Sequence, residues 1–585
     1  MAFEGFVIQN GKHDHENQFL CWATLMDKTP GNLEKDGLDA GQPVQGDDAR
    51  EAPFLDCSQS SFSSISSSSW APEQTPTMEQ VQTYHELERH PTALSRIATQ
   101  RTQHSGTVGA ALKQRVSKKP LPPFGAGKPY PPPLAPREEF LISAMLAYTT
   151  LVSTFTSSVF STVTTNIAAQ YHVSTEVGLL GLSLYVLGFA TGPVFWAPLS
   201  ELRGRKLPIL FGMAGFVMFQ FAVATAKDLQ TIFICRFFGG FFGACPIAVV
   251  AAVFSDIYDN RYRGVAITVF SITVFMGPLV APFIGGFIAD SYLGWRWTAY
   301  VTGIMGAAAL VGDIFVLDET YPPIVLIDKA AELRRRTKNW GIHAKQEEIE
   351  IDLSELIQKN FSRPIRILVT EPIVLLLSIY MAFIYGLLYL FMTAYPLVFQ
   401  KIHGFSKGIG GLPYLGMAVG ELIAGVYIIF QQPSYQRKLR ANNDMPIPEW
   451  RLPPAIIGGV AFSGGLFWFG WAGYKSTIHW IVPTLSGLLT GFGLLAIFLQ
   501  SLNYLVDAYL LFAASAIAAN TFLRSLAGAV FPLFATYMFD GMGINWAGTL
   551  LGCVAGVLVP IPVFFYRFGH RIRAKSRFAP TFDFD

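Results

Sequence analysis

From about residue 139 onward, apolar residues run in stretches of roughly 20 separated by polar breaks, whereas residues 1–136 contain no run of that length. A helix of that size crosses a hydrocarbon core about 30 Å thick. The stretches fall near 139–162, 177–197, 207–226, 230–254, 264–289, 297–317, 371–396, 410–431, 454–473, 478–501, 507–531 and 546–566, twelve in all. Each is predicted to be a helix, because a lone segment in lipid must satisfy its own backbone polar groups, and barrel strands would alternate over about 10 residues. The longest polar break, at 318–370, carries Lys329, Arg334, Arg335 and Arg336 and leaves six spans on either side. An even division of this kind suggests a duplicated half.

The positive charges alternate along the connections. Arg203, Arg205 and Lys206, then Arg261 and Arg263, the central break, Arg437, Lys438 and Arg440, and the tail Arg567, Arg571, Arg573, Lys575 and Arg577 all lie on every second loop. The positive-inside rule makes those loops cytoplasmic, with both termini inside, as an even number of spans requires. The other connections, such as 166–174, the turn at Lys227 and 539–545, hold few or no basic residues. Trp295, Trp297, Trp480 and Trp546 flank spans at that opposite interface, where tryptophan anchors helices.

Composition fits a membrane chain: of 585 residues 51% are hydrophobic and only 14% charged, where a soluble domain carries about a quarter charged. The formal net charge of +2 gives no reason to expect nucleic acid as a partner. Five cysteines, Cys21, Cys57, Cys235, Cys245 and Cys553, are scattered without CxxC spacing, so neither a disulfide framework nor a metal site is expected. The first thirty residues lack a basic start followed by an apolar core, and the first span is expected to serve as targeting signal. Residues 1–136, with a serine tract from Ser58 to Ser69 and Pro131, Pro132 and Pro133, bury too little apolar surface to offset ordering entropy. The expected organisation is therefore a disordered cytoplasmic region 1–136, a six-helix bundle over 137–318, a cytoplasmic loop 319–370, a second bundle over 371–567 and a tail 568–585.

The stretch GPVFWAPLSELRGRK, residues 192–206, packs Glu201, Arg203, Arg205 and Lys206 between two apolar runs. Its end, Ala197-Pro-Leu199-Ser-Glu201-Leu-Arg203-Gly204-Arg205-Lys206, resembles the G-x-L-A-D-R-x-G-R-R/K loop between helices two and three of the major facilitator superfamily. Glu201 stands for the aspartate and Ala197 for the first glycine, and the PLSE-x-x-GR form resembles the fungal twelve-span drug:proton antiporters. In the fifth span, Gly277-Pro278-Leu-Val-Ala281-Pro282-Phe-Ile-Gly285-Gly286 is similar to the antiporter motif G-x-x-x-G-P-x-x-G-G. Arg236 in ICRFFGGFFGA, Asp256 with Arg263-Gly264, Pro448-Glu449-Trp-Arg451-Leu452, and the run from Asn503 through Asp507 to Arg524 extend the match over nearly all of the spanning region.

The resemblance implies an all-α membrane protein of the major facilitator fold, two six-helix bundles rocking about a midplane cavity. Glu201, Arg203, Gly204, Arg205, Lys206, Asp256 and Arg263 would form a cytoplasmic charge cluster that holds one state closed; the plainer reading of Arg203 and Lys206 is topology alone. Gly277, Pro278, Pro282, Gly285 and Gly286 would make a kinked, close-packed helix interface. Arg236 lies inside an apolar helix at a cost of about 2.5–3.5 kcal/mol and so needs a partner; proton coupling is one role, capping a carbonyl another. Glu421, twelve residues into the eighth span, is a second proton-site candidate, taken from its position and from no family motif. Asp507 and Arg524 are read at opposite ends of the eleventh span, with structural roles, and Asp313 as reaching the cytoplasmic interface.

Tyr185, Phe189, Phe275, Tyr380, Tyr385 and Phe391 are candidates to line an apolar cavity. The expected activity is export of an amphipathic organic compound, a drug, toxin or secondary metabolite, in exchange for protons across the plasma membrane. Partners are that small organic substrate, protons and the lipid bilayer, with a monomeric protein and no cofactor beyond the coupling proton. A polyamine exporter, a solute importer and a non-transporting receptor are the alternatives; the absence of HExxH, GxSxG, P-loop and dinucleotide fingerprints weighs against an enzyme or an ATP-driven pump.

Overall fold

A computed structural model describes residues 136–578 except 259, 345–346, 348–352, 443–445, 510–511 and 577. Residues 1–135, nearly all of the region expected to be disordered, lie outside the described residues, as does the end of the tail.

The first half begins with α1 (Pro136–Val159), continued by a short 3-10 turn and α2 (Thr164–Tyr171), then α3 (Thr175–Arg203), α4 (Lys206–Thr225), α5 (Leu229–Ile257), α6 (Asn260–Asp290) and α7 (Arg296–Val316). Side-chain caps set the starts of α3 and α5: Ser174 accepts from the Val177 N–H at 3.4 Å and Asp228 from Thr231 at 2.8 Å. The central segment forms α8 (Pro322–Thr337) and α9 (Leu353–Thr370). There the Arg334 guanidinium grips the Glu347 carboxylate with two hydrogen bonds, 2.6 and 2.7 Å, and holds it below the usual carboxylate range. The second half contains α10 (Pro372–Tyr395), a π turn, α11 (Lys407–Gly410), α12 (Tyr414–Ala441), α13 (Leu452–Gly473), α14 (Ile481–Tyr509), α15 (Ala513–Leu558) and α16 (Pro560–Arg573).

Eleven continuous helical stretches among the described residues are long and apolar enough to cross a membrane, and the last, Ala513–Arg573, runs 61 residues. At 1.5 Å per residue that is roughly three bilayer cores. Gly543 breaks it with φ 78° and ψ 156°, a conformation open essentially to glycine, so the stretch is two spans and the total is twelve.

Small residues bring the helices close. Gly188 and Gly240 sit where α3 crosses α5, and a Cβ at Gly240 would collide with the Tyr185 carbonyl. The fifth-span string works on two sides of α6. Gly277 and Gly285 fit against α1, at Thr154 and Val159, and the Pro278 carbonyl, next in the string, accepts from Ser158 Oγ at 3.0 Å. Gly286 instead meets the Lys407 backbone of the other half, and Pro282 and Phe283 back onto Gly411. The halves join along α3 against α15 and α6 against α12. The apolar core follows this plan: one cluster fills the first bundle around Trp196, Phe216 and Phe254, and a larger one fills the second and reaches Val186 and Phe275 of the first.

Candidate functional site

The basic loops gather at one end of the helices. There α3 ends at Arg203 and the chain turns at Gly204 with φ 86° and ψ 176°. A Cβ at Gly204 would also strike the Glu319 carboxylate. Glu319 accepts from the backbone N–H groups of Arg205 at 2.8 Å and Lys206 at 3.1 Å, placing a negative charge on the N-terminus of α4. The Arg205 guanidinium donates from Nε to Asp256 at 3.0 Å and from Nη1 to Ser200 Oγ at 2.8 Å, and lies 4.5 Å from the Tyr321 ring centroid. Lys206 reaches Asp318 at 3.7 Å, and Arg263 donates to the Ser255 carbonyl at 3.3 Å. Gly204→Ala is therefore expected to destabilise this turn by about 1–3 kcal/mol. A thermal melt of the purified variant reads that loss, and an unchanged midpoint removes the constraint.

The cluster differs from the expected one in membership and reach. Glu201 is exposed, and neither it nor Arg203 forms an ion pair among the described residues. Glu319, Asp318 and Tyr321 take part instead, three residues that follow the sixth span and lie outside the loop motif. Among the described residues every partner in the cluster belongs to the first half or the segment directly after it, so the cluster braces α3, α4 and α5 against one another and not one bundle against the other.

The second half repeats the arrangement. Arg451, between α12 and α13, donates from Nε to Asp507 at 3.0 Å and stacks 3.6 Å from the Tyr435 ring, whose hydroxyl donates to Asp507 at 3.2 Å. Arg573 pairs with Glu449. Asp507 thus lies in the last turn of α14, the tenth span, rather than at the start of the eleventh. The helix dipole opposes an acid there, and Arg451 offsets it. The loop arginine and the acid ending a span, Arg205 with Asp256 and Arg451 with Asp507, occupy corresponding places in the halves.

Toward the middle of the helices, Arg236 is 1% exposed and is satisfied by carbonyls: Nε to Gly181 at 2.9 Å, Nη1 to Thr156 at 3.2 Å and Nη2 to Ser157 at 3.4 Å. Its guanidinium lies 4.2 Å from the Tyr185 ring centroid and 4.6 Å from that of Phe160. This is the carbonyl-capping arrangement, with no carboxylate partner among the described residues. Glu421 is 0% exposed, and neither carboxyl oxygen has a hydrogen-bond partner among the described residues. Asp313, expected at the interface, is fully buried and accepts from Thr149 Oγ1 at 3.0 Å, because α1 packs over the end of α7. Trp295, read as an interfacial anchor, is likewise buried and donates to Gln170 at 2.7 Å, while Trp297, Trp480 and Trp546 remain partly exposed.

The six aromatic candidates separate. Tyr185 and Phe189 pack together in the first bundle, and the Tyr185 hydroxyl donates to the Ser153 carbonyl at 3.0 Å. Tyr380 lies in the second bundle near Gly459, and Phe391 packs on Tyr395 and Phe469. Phe275 and Tyr385 meet across the junction of the halves, their ring centroids 6.2 Å apart. At the end opposite the basic loops, a vestibule of about 450 Å³ opens between the bundles. Leu179 and Pro282 of the first half and Met392, Thr393, Tyr414 and Thr536 of the second contribute to its lining, and none of the six candidates does. Beside it, Lys407 donates to Thr165 Oγ1 at 2.9 Å and to Asn166, and the Gly408 N–H to Asp290 at 3.1 Å, tying the halves together.

Two stacked sextets of spans, joined along four helices and enclosing a vestibule lined by both, define a multi-pass membrane transporter architecture. A sequence model of the Major Facilitator Superfamily matches residues 146–532, and the chain belongs to that superfamily. It is 46% identical over 83% of its length to the major facilitator superfamily multidrug transporter FLU1 of Candida albicans, covering 84% of that protein. It is 45% identical to the multidrug transporter TPO1_2 of Candida glabrata, over 81% of this chain and 86% of the relative. An uncharacterized transporter of Schizosaccharomyces pombe shares 52% identity over 74% of this chain and 80% of its own. Among solved structures, the xylose transporter XylE from E. coli, in a partially occluded inward-open conformation, superposes with a TM-score of 0.54 at 18% identity, over 74% of this chain and 98% of that one, which shows the shared fold.

Proposed function

We propose that this protein exports an amphipathic organic compound from the cytoplasm across the plasma membrane, driven by inward movement of protons, through alternating access of a cavity between its bundles. The observation that carries the reading is the vestibule, to which both halves contribute. A cavity walled by two bodies opens and closes when one rocks against the other. In this reading the basic end faces the cytoplasm, with both termini, and the protein acts as a monomer. The charge clusters keep each bundle rigid as it moves; bracing α3 matters because α3 also carries the contact with α15. Glu421 would carry the coupling proton: an ionised carboxylate without a partner in apolar surroundings is costly, so a site of this kind favours exchange of a proton over a permanent charge. Arg236, held by three carbonyls, would fix the geometry around α1 and α3. The names of the Candida relatives, multidrug transporters, support a drug-like cargo.

Inside-out vesicles carrying the full chain and an acidic lumen test the proposal. Accumulation of a fluorescent organic dye is expected, and collapsing the proton gradient should abolish it. Uptake that is indifferent to the gradient sinks the antiport mechanism, and dye movement only in the opposite orientation makes the protein an importer.

A further inference from the structure

The two buried arginines of this membrane interior are not in the same condition. Arg236 has three carbonyl partners, whereas Arg524, 7% exposed, has its Nε and Nη1 buried without any hydrogen-bond partner among the described residues. No carboxylate pairs with it among the described residues, and Glu421 of the same bundle is likewise without a hydrogen-bond partner there. What surrounds the guanidinium is aromatic. It lies 4.6 Å from the Phe498 ring centroid and 5.2 Å from that of Tyr385. Phe275, from the other half, closes the box edge-on, 4.6 Å from Phe498.

Unsatisfied donors on a buried cation are expensive, and each costs more than an unformed bond at a surface. Such a group persists when something outside the chain completes it in the working cycle. The location suits that purpose. Arg524 stands on α15, the helix that packs on α3 across the junction, and one turn along the same helix Gly528 contacts Val186 of α3 and Tyr385 and Tyr389 of α10. Tyr389 donates to Ser157 Oγ at 2.9 Å, so it links the halves. Three residues beyond Tyr389, Met392 lines the vestibule. Tyr385 precedes Met392 by seven positions and Phe275 precedes Pro282 by seven, so the aromatic box lies about two helical turns below the vestibule lining and is built from both halves.

We infer that Arg524, with Phe275, Tyr385 and Phe498, is a substrate subsite that binds an aromatic organic anion, the guanidinium taking a carboxylate or phenolate oxygen and the rings stacking on the planar frame. The inference rests on the exporter reading and narrows it. Guanidinium donors match a carboxylate in a planar fork, and a polyamine would face an uncompensated positive charge here.

Fluorescein, an aromatic carboxylate, and rhodamine 123, a cationic dye on the same xanthene frame, serve as probes. Binding to purified full-length protein in lipid nanodiscs is read by fluorescence anisotropy, which needs no transport. Fluorescein is expected to bind more tightly than rhodamine 123, and Arg524→Gln to weaken fluorescein at least tenfold while leaving rhodamine 123 unchanged. Arg524→Lys, which retains charge but not the fork, should recover part of the loss and guards against a folding defect in the first variant. No fluorescein binding by the wild type, preference for rhodamine 123 or spermidine, or equal loss of both dyes overturns the subsite. Fluorescein binding without gradient-driven accumulation in vesicles would instead overturn the exporter reading and leave the subsite standing.

Discussion

Arg205→Ala is expected to reduce gradient-driven transport at least tenfold while the chain still inserts and folds into the membrane. Arg205 is 6% exposed and has two side-chain hydrogen bonds, to Asp256 and Ser200, as well as the Tyr321 ring. Truncation removes all of these together and leaves Asp256 and Glu319 close to each other without the cation between them. Stranding a largely buried carboxylate costs on the order of 3 kcal/mol. That energy loosens α3 from α5 at the end where the first bundle must move as one body. Restoring balance should rescue: the double variant Arg205→Ala with Asp256→Ala is expected to transport better than Arg205→Ala alone, because no unpaired charge remains. Dye uptake in vesicles, normalised to protein in the membrane, reads both. Wild-type uptake by the single variant, or a double variant no better than it, would show that the cluster only marks topology.

The second large effect is expected at Glu421. Glu421→Gln keeps the shape of a side chain that is 0% exposed but cannot bind or release a proton. Accumulation against a gradient should fail in vesicles with an acidic lumen, whereas exchange of labelled for unlabelled substrate across the same membrane should continue. That separation distinguishes a coupling residue from a packing residue, whose loss would slow exchange as well. Proton-driven accumulation that survives in the variant would falsify the assignment and return Glu421 to the core. The unpartnered state of both carboxyl oxygens is the reason to expect coupling here and not at Asp313, which Thr149 satisfies with a hydrogen bond.

Much of the architecture was legible in the chain because lipid leaves few choices. An apolar run of about 20 residues must form a helix to satisfy its backbone, so spans and their number follow from hydropathy. The one ambiguity, a helix of 61 residues, is also resolved by a residue type, Gly543, whose φ of 78° breaks it. Boundaries were less legible. Hydropathy places Asp507 in the eleventh span because the polar break before that span is short, and the pairing with Arg451 that fixes it at the end of the tenth bridges 56 positions. The arginine-rich turn between α3 and α4 identified one cluster, but Glu319 lies 114 positions from the N–H it caps. A comparison of corresponding positions in the two halves was the signal that could have linked an arginine in the loop to an acid at the end of a span.

The sequence by itself determined the number of spans, the division into sixes, the loops that carry positive charge and the superfamily, because each depends on local composition or on a contiguous motif. Only the tertiary structure decided which buried charges are satisfied. Arg236 and Arg524 look alike as single cations in apolar helices, yet one meets the carbonyls of Gly181, Thr156 and Ser157 and the other meets only rings. Whether a buried donor finds an acceptor depends on how distant helices cross, and close crossings such as Gly240 against Tyr185 are set by packing between helices and not by the order of residues within one.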